Sequence, residues 1–136
     1  MASDRIRGDP SKQIVLLDTS AIMMMFEFHI KIDDELTRIL GSYSLFVPER
    51  VLKELDVLHS KGKGKQKRLA KASLQLAKIY NVYPGFSELE GDDAVIAAAV
   101  ECSAIVVTND RELRRRLREK SLRSIFLRGK DHLMMD

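Results

Sequence analysis

The stretch AIVVTNDRELRRRL, residues 104–117, decides how this chain folds. Its first residues form a continuous apolar, β-branched run without alternation, the pattern of a parallel strand covered on both faces. The run ends in a threonine, an asparagine and an aspartate, and a basic helix begins. A second stretch, IVLLDTS (residues 14–20), behaves in the same way and ends on Asp18 followed by two hydroxyl residues. Two buried strands that both run into a carboxylate are the feature to be explained.

Reading outward, the acids of DDELTRIL (33–40) open a helix that carries Leu36, Ile39 and Leu40 at helical spacing, and Gly41 stops it. SLFVP (44–48) reads as a strand. Pro48 then starts a helix with Val51, Leu52, Leu55 and Leu58 on one face. KGKGK breaks it, a further helix covers 66–80, NVYPG (81–85) is a short strand, GDDAVIAAAVEC (91–102) is a small-residue helix, and SIFLRG (124–129) is the last strand. Strands alternate with helices throughout, which predicts an α/β domain with a mainly parallel sheet of four to five strands. The expectation is a single domain over residues 1–136, with residues 1–12 as a flexible N-terminal extension.

The chain has 136 residues, 45% of them apolar and 32% charged, enough for one core. Its one cysteine, Cys102, excludes a disulfide framework and points to a reducing, cytoplasmic setting. No apolar run approaches the ~20 residues of a membrane span. The net charge is only +3, yet the basic residues cluster in KGKGKQKR (61–68) and RRRLREK (114–120). Lys63, Lys65, Lys67, Arg68, Arg114 and Arg115 are therefore candidates for RNA phosphate contacts, the alternative being solvated helix faces. With three Tyr, five Phe and no Trp, a base-stacking RNA module is not expected.

A doubly wound sheet carries its chemistry outside the carboxyl ends of its strands, where strand order reverses. Asp18 and Asp110 both fall at such ends, and as neighbours they would repel unless a cation lay between them. Glu54 lies on the rim of its helix, either reaching inward or snorkelling to solvent. In GDDAV, Asp93 shares a face with Ile96, Ala97 and Val100 and is expected to point to the sheet top, with Asp92 as the N-cap; the alternative is that Asp93 is the cap and Asp92 is exposed. Oxygen ligands alone suit Mg²⁺ or Mn²⁺ rather than zinc, and such a site beside basic patches suits phosphodiester hydrolysis.

These pieces together, LLDTSAI, VPERVLKELDVL, the KGKGKQKRLAKASLQLA segment, DDAVIAAA and VVTNDRELRRRL in this order, resemble the PIN-domain nucleases, in particular their archaeal VapC-like and ribosome-biogenesis branches. The resemblance implies a three-layer α/β/α sandwich with strand order 3-2-1-4-5 and endoribonucleolytic cleavage of single-stranded RNA with one or two Mg²⁺ or Mn²⁺ ions. It assigns the acidic quartet to Asp18, Glu54, Asp93 and Asp110 and the polar shell around it to Thr19, Ser20, Thr108 and Asn109. It also implies a homodimer, and either an antitoxin protein or a pre-ribosomal particle as partner. The aspartate-phenylalanine pair that follows the fourth acid in most VapC toxins is replaced here by Arg111, Glu112 and Leu113.

Two other readings compete. A non-catalytic RNA- or protein-binding scaffold would have no reason to gather four mutually repelling acids. A receiver-like signalling domain would need a phosphorylatable aspartate at the end of its third strand, and NVYPG supplies none. The Met23, Met24, Met25, Phe26 run reads as a helix buried against the sheet or a second copy. His29, His59 and His132 share no ligand spacing.

Overall fold

The computed structural model describes residues 12–136. The extension expected over residues 1–12 falls, apart from Lys12, outside the described residues. β1 (Gln13–Leu17) is followed by α1 (Thr19–Glu27) and α2 (Ile32–Leu40), β2 (Tyr43–Pro48) by α3 (Glu49–Lys61) and α4 (Gly64–Ala77), and β3 (Asn81–Tyr83) by α5 (Asp92–Cys102). β4 (Ile105–Val107), α6 (Arg111–Glu119), β5 (Ser124–Arg128) and β6 (His132–Met135) complete the order.

The strands form one sheet in the order β3-β2-β1-β4-β5-β6, flanked by helices. β1 to β5 run parallel, and β6 closes the edge antiparallel to β5. The 3-2-1-4-5 order is thus present with one strand more than the four to five expected. The additional strand is four residues long, lacks β-branched residues and lies at an edge, so it carries little strand signal of its own. Gly129, at φ +68, turns the chain into it. Leu133 is buried at its centre; the Leu133 N–H donates to Glu35 Oε1 at 2.6 Å, and Arg38 Nη2 donates to the Leu133 carbonyl at 2.7 Å. Helix α2 therefore fastens the edge that the sequence leaves unannounced.

β1 is central because it has no polar face: Val15, Leu16 and Leu17 are fully buried. Its register pairs Leu17 with Val107 of β4, so residues 18 and 108 leave the sheet side by side. Strand order reverses between these two strands, which makes this pair of ends the topological switch point. Over them, α5 buries Ala94, Ala98 and Ala99, whose short side chains allow the helix to sit close. In α1, Met24 is buried, and Met23, Met25 and Phe26 are half-buried against the same core, so the methionine run packs within its own chain. Gly41, at φ +76, terminates α2 as expected. Among the described residues no helix is long and apolar enough to cross a membrane.

Candidate active site

Asp18 follows β1 directly and is the N-cap of α1, its Oδ1 accepting the Ala21 N–H at 2.8 Å. The same oxygen accepts the Ser20 hydroxyl at 2.8 Å, and Oδ2 accepts the Thr108 hydroxyl at 2.5 Å. The side chain is nonetheless almost sealed, with the residue 6% exposed. Burial is the largest influence on its acidity and outweighs the three donors, pushing the carboxyl up from an ordinary 3.8 to about 6.

Thr108, the residue after β4, also accepts the Asp110 N–H at 3.0 Å. Asp110 in turn caps α6, its Oδ1 accepting the Leu113 N–H at 2.9 Å. Asn109 is used up structurally: its Oδ1 accepts the Leu127 N–H at 2.9 Å, its Nδ2 meets Met24 sulfur at 3.0 Å, and its own N–H donates to Ser20 Oγ at 3.0 Å. From α3, Glu54 reaches inward and accepts the Thr19 hydroxyl at 2.8 Å, with Arg50 Nε 3.9 Å from its other oxygen. The hydroxyls of residues 19, 20 and 108 thus hold the carboxylates of Asp18 and Glu54, and Thr108 also anchors the backbone of Asp110.

Of the two acids that open α5, the one that faces the other carboxylates is not the one the helix phase suggested. A cavity of about 280 Å³ is walled by Asp18, Thr19, Ser20, Met23, Val51, Glu54, Gly91, Asp92, Val95 and Asp110. Asp92 lines it and Asp93 does not. Gly91, rather than Asp92, is the residue that precedes α5, and it makes no side-chain cap. Burial raises the Asp92 carboxyl first, then the charge of Asp110, with Glu54 adding to it against the opposing pull of Arg116. Asp93 instead points outward, 59% exposed, where its Oδ1 accepts from Arg116 Nη2 at 2.6 Å. The physical reason is visible in α5: residues 94 to 96 and 98 to 99 are all buried while Val100 is half exposed, so the inner face runs through Asp92, Val95 and Ala99. A helix apolar nearly all round offers no polar face from which to read its phase.

The basic candidates are distributed unevenly. Lys63 precedes α4, Lys65 lies 3.4 Å from Glu27, and Lys67 and Arg68 are exposed. Arg115 is occupied by Glu112 and Glu119 of its own helix. Arg114 lies over the Phe126 ring, 3.6 Å from its centroid.

Among the described residues no three His, Cys, Asp or Glu side chains stand close enough to enclose one metal ion in this conformation. The donor set still suits a hard divalent cation: four carboxylates face one cavity, Asp92 is raised by burial and then by the charge of Asp110, and the space between leaves room for water in the coordination shell. Added positive charge there would relieve the repulsion that the acids impose on each other.

A doubly wound domain that gathers four carboxylates at its switch point, two of them held by hydroxyls, defines a class of α/β carboxylate-site proteins. Within that class the particular family is set by sequence. The profile described as "PIN like domain" matches residues 15–130, and the chain belongs to the PIN-domain nuclease family. Ribonuclease VapC9 of Archaeoglobus fulgidus is 30% identical over 122 residues, 90% of this chain and 87% of that protein. Ribonuclease VapC4 of Methanocaldococcus jannaschii is 28% identical over 121 residues, 87% of this chain and 92% of that protein. The fold is shared with the PIN domain endonuclease Utp24, at a TM-score of 0.73 and 21% identity with 90% of each chain covered. It is shared too with a domain of a functionally unknown protein from Methanocaldococcus jannaschii, at 0.65 and 18%, covering 86% of this chain and 92% of that one.

Proposed function

We propose that this protein is a divalent-metal-dependent endoribonuclease that hydrolyses phosphodiester bonds of single-stranded RNA. The observation that carries the reading is the convergence of Asp18, Glu54, Asp92 and Asp110 on one cavity at the switch point, with Asp18 and Asp92 both raised above the ordinary carboxylate range. Perturbed carboxylates clustered in a cleft are arranged for chemistry rather than for stability. The VapC ribonucleases matched over nearly the whole chain support the choice of reaction and substrate.

These four residues would hold Mg²⁺ or Mn²⁺. The bound cation would supply a Lewis acid that polarises the phosphodiester and activates water. The chain's own contribution is positional. Ser20, Thr108 and the Ala21 N–H fix both oxygens of Asp18, and Thr19 fixes Glu54, so the carboxylates are oriented before substrate arrives. Met23, Val51 and Val95 supply the apolar part of the cavity wall.

The cellular setting that accords with the relatives is that of a VapC-type ribonuclease, with a protein partner that masks the acidic cavity. A homodimer belongs to the same reading and is checked by light scattering at several protein concentrations.

The decisive experiment incubates purified protein with an unstructured RNA oligonucleotide in Mg²⁺, Mn²⁺ or EDTA, beside Asp18→Asn and Asp110→Asn. Cleavage that needs metal and disappears in both variants supports the reading. Absence of cleavage under every metal, or cleavage retained by the variants, refutes it and favours a binding scaffold.

A further inference from the structure

Helix α6 carries five arginines, and four of them are directed to acids. Arg115 pairs with Glu112 and Glu119, Arg116 with Asp93, and Arg118 Nη2 with Asp136 Oδ2 at 2.7 Å. Arg114 has only a long 3.8 Å approach of Nη2 to the same Asp136 oxygen, already used by Arg118. Its Nε is buried and has no hydrogen-bond partner among the described residues. The Arg111 side chain is exposed and forms no hydrogen bond or ion pair among the described residues.

These two under-used arginines stand one helical turn apart and face the same feature, a cleft of about 280 Å³ walled by Asn109, Arg111, Arg114, Phe126 and Leu127. The cleft shares the 109–111 corner with the acidic cavity, because Asp110 between them lines that cavity. The polar groups of Asn109 are consumed by Leu127, Met24 and Ser20, so the arginines are the free donors of the cleft. The Phe126 ring holds the Arg114 guanidinium flat, and a fixed planar fork is the geometry that meets two phosphate oxygens at once.

We propose that Arg111, Arg114 and Phe126 form a phosphate subsite that grips the RNA backbone beside the bond being cut, on the α6–β5 side of the acidic cavity. The proposal rests on the ribonuclease reading and adds to it the path by which the strand leaves the acids. It divides the basic surface: Arg111 and Arg114 hold the strand, whereas Arg115, bound by two glutamates, is a helix-surface residue that does not.

The test measures anisotropy of a labelled, unstructured RNA 12-mer in EDTA, where nothing is cut, across a salt series. The proteins are the wild type, Arg111→Ala, Arg114→Lys and Arg115→Ala. The Arg111 side chain has no partner to lose among the described residues, so its variant tests the cleft even where a change at Arg114 impairs folding. Wild-type affinity should fall about tenfold in Arg111→Ala, with the salt slope reduced by about 0.7 for the lost phosphate contact. Arg114→Lys should lose affinity despite keeping its charge, because a lysine does not lie flat on Phe126 or fork two oxygens. Arg115→Ala should bind as wild type. In metal, the first two variants should raise KM while kcat stays within about threefold. Unchanged affinity and slope in both Arg111→Ala and Arg114→Lys overturn the proposal, and so does an equal loss in Arg115→Ala, which marks a diffuse basic surface. A wild type that binds RNA through these arginines but cuts nothing in any metal leaves the subsite standing and removes the ribonuclease reading.

Discussion

Replacing Asp18 by asparagine should make the metal-free protein more stable at neutral pH while abolishing its activity. The folded carboxyl has its pKa raised from 3.8 to about 6, mainly by burial. A group whose folded pKa lies above its unfolded one binds its proton more tightly in the native state. Native stability is therefore fully present below about pH 4 and declines as pH rises through about 6. Two units at ~1.4 kcal/mol each give a penalty of about 3 kcal/mol above pH 7, with no discount for exposure because the residue is sealed. Asparagine keeps an acceptor for the Ala21 N–H and the Ser20 hydroxyl but turns the Thr108 hydroxyl, which already accepts from Asp110, into an acceptor twice over, at a cost of about 1 kcal/mol. The net gain of about 2 kcal/mol corresponds to about 6 °C in a domain of this size. Thermal melts in EDTA from pH 4 to pH 8 should show the wild type losing Tm across pH 4 to 6 and Asp18→Asn remaining flat over that interval. Added Mn²⁺ should then reverse the order, since ligand at a hundredfold its Kd adds about 2.7 kcal/mol to a protein that binds it. A variant that melts below the wild type at pH 8 in EDTA, or by the same margin at pH 4 and pH 8, would refute the reasoning.

Four further substitutions separate the parts of the site and fold. Asp92→Asn should reduce kcat/KM by about 100-fold, whereas Asp93→Asn, which loses only an exposed pair with Arg116, should change it by less than about fivefold; steady-state cleavage of an oligonucleotide distinguishes them. Thr108→Val removes a hydroxyl that donates to Asp18 and accepts from Asp110 N–H, so it should cost about 1–3 kcal/mol by denaturant unfolding and lower kcat at least tenfold with metal still bound. Leu133→Ala, at the buried centre of the edge strand, should cost about 2–5 kcal/mol, and a cost below 1 kcal/mol would show that β6 is not part of the cooperative unit.

What the sequence discloses and what it hides follow from how many neighbours each residue needs to declare itself. Strands such as IVLL and IVV announce burial on both faces within a few residues, and the two aspartates at their ends stand out because apolar runs precede them. Glu54 is half legible: the apolar stripe of its helix places it on the rim, but that it reaches inward follows from Thr19, 35 residues away in the chain. The choice between Asp92 and Asp93 is not, because AVIAAAV has no polar face and the phase of α5 is set by packing on β1 and β2 rather than by anything local. β6 hides for a related reason: its place in the sheet depends on Glu35 and Arg38, almost a hundred residues earlier in the chain. Which arginines of α6 are free is likewise a tertiary fact, since Glu112 and Glu119 are local partners but Asp93 and Asp136 are not.

The arrangement also accounts for why the hydroxyls fall where they do. An α/β switch point brings strand ends together for topological reasons, and acids placed there repel each other in the folded state only. Without donors, the least costly response of Asp18 would be to remain protonated, which would remove it as a metal ligand. Three hydrogen bonds from residues one turn away and across the sheet oppose that tendency, and they hold its acidity at about 6, within reach of ionisation at neutral pH. Ser20 and Thr108 are therefore as much a part of the charge state of the site as the acid they touch. Their removal should shift the pH at which metal binds upward even where the fold survives, an effect that a purely structural hydroxyl would not produce.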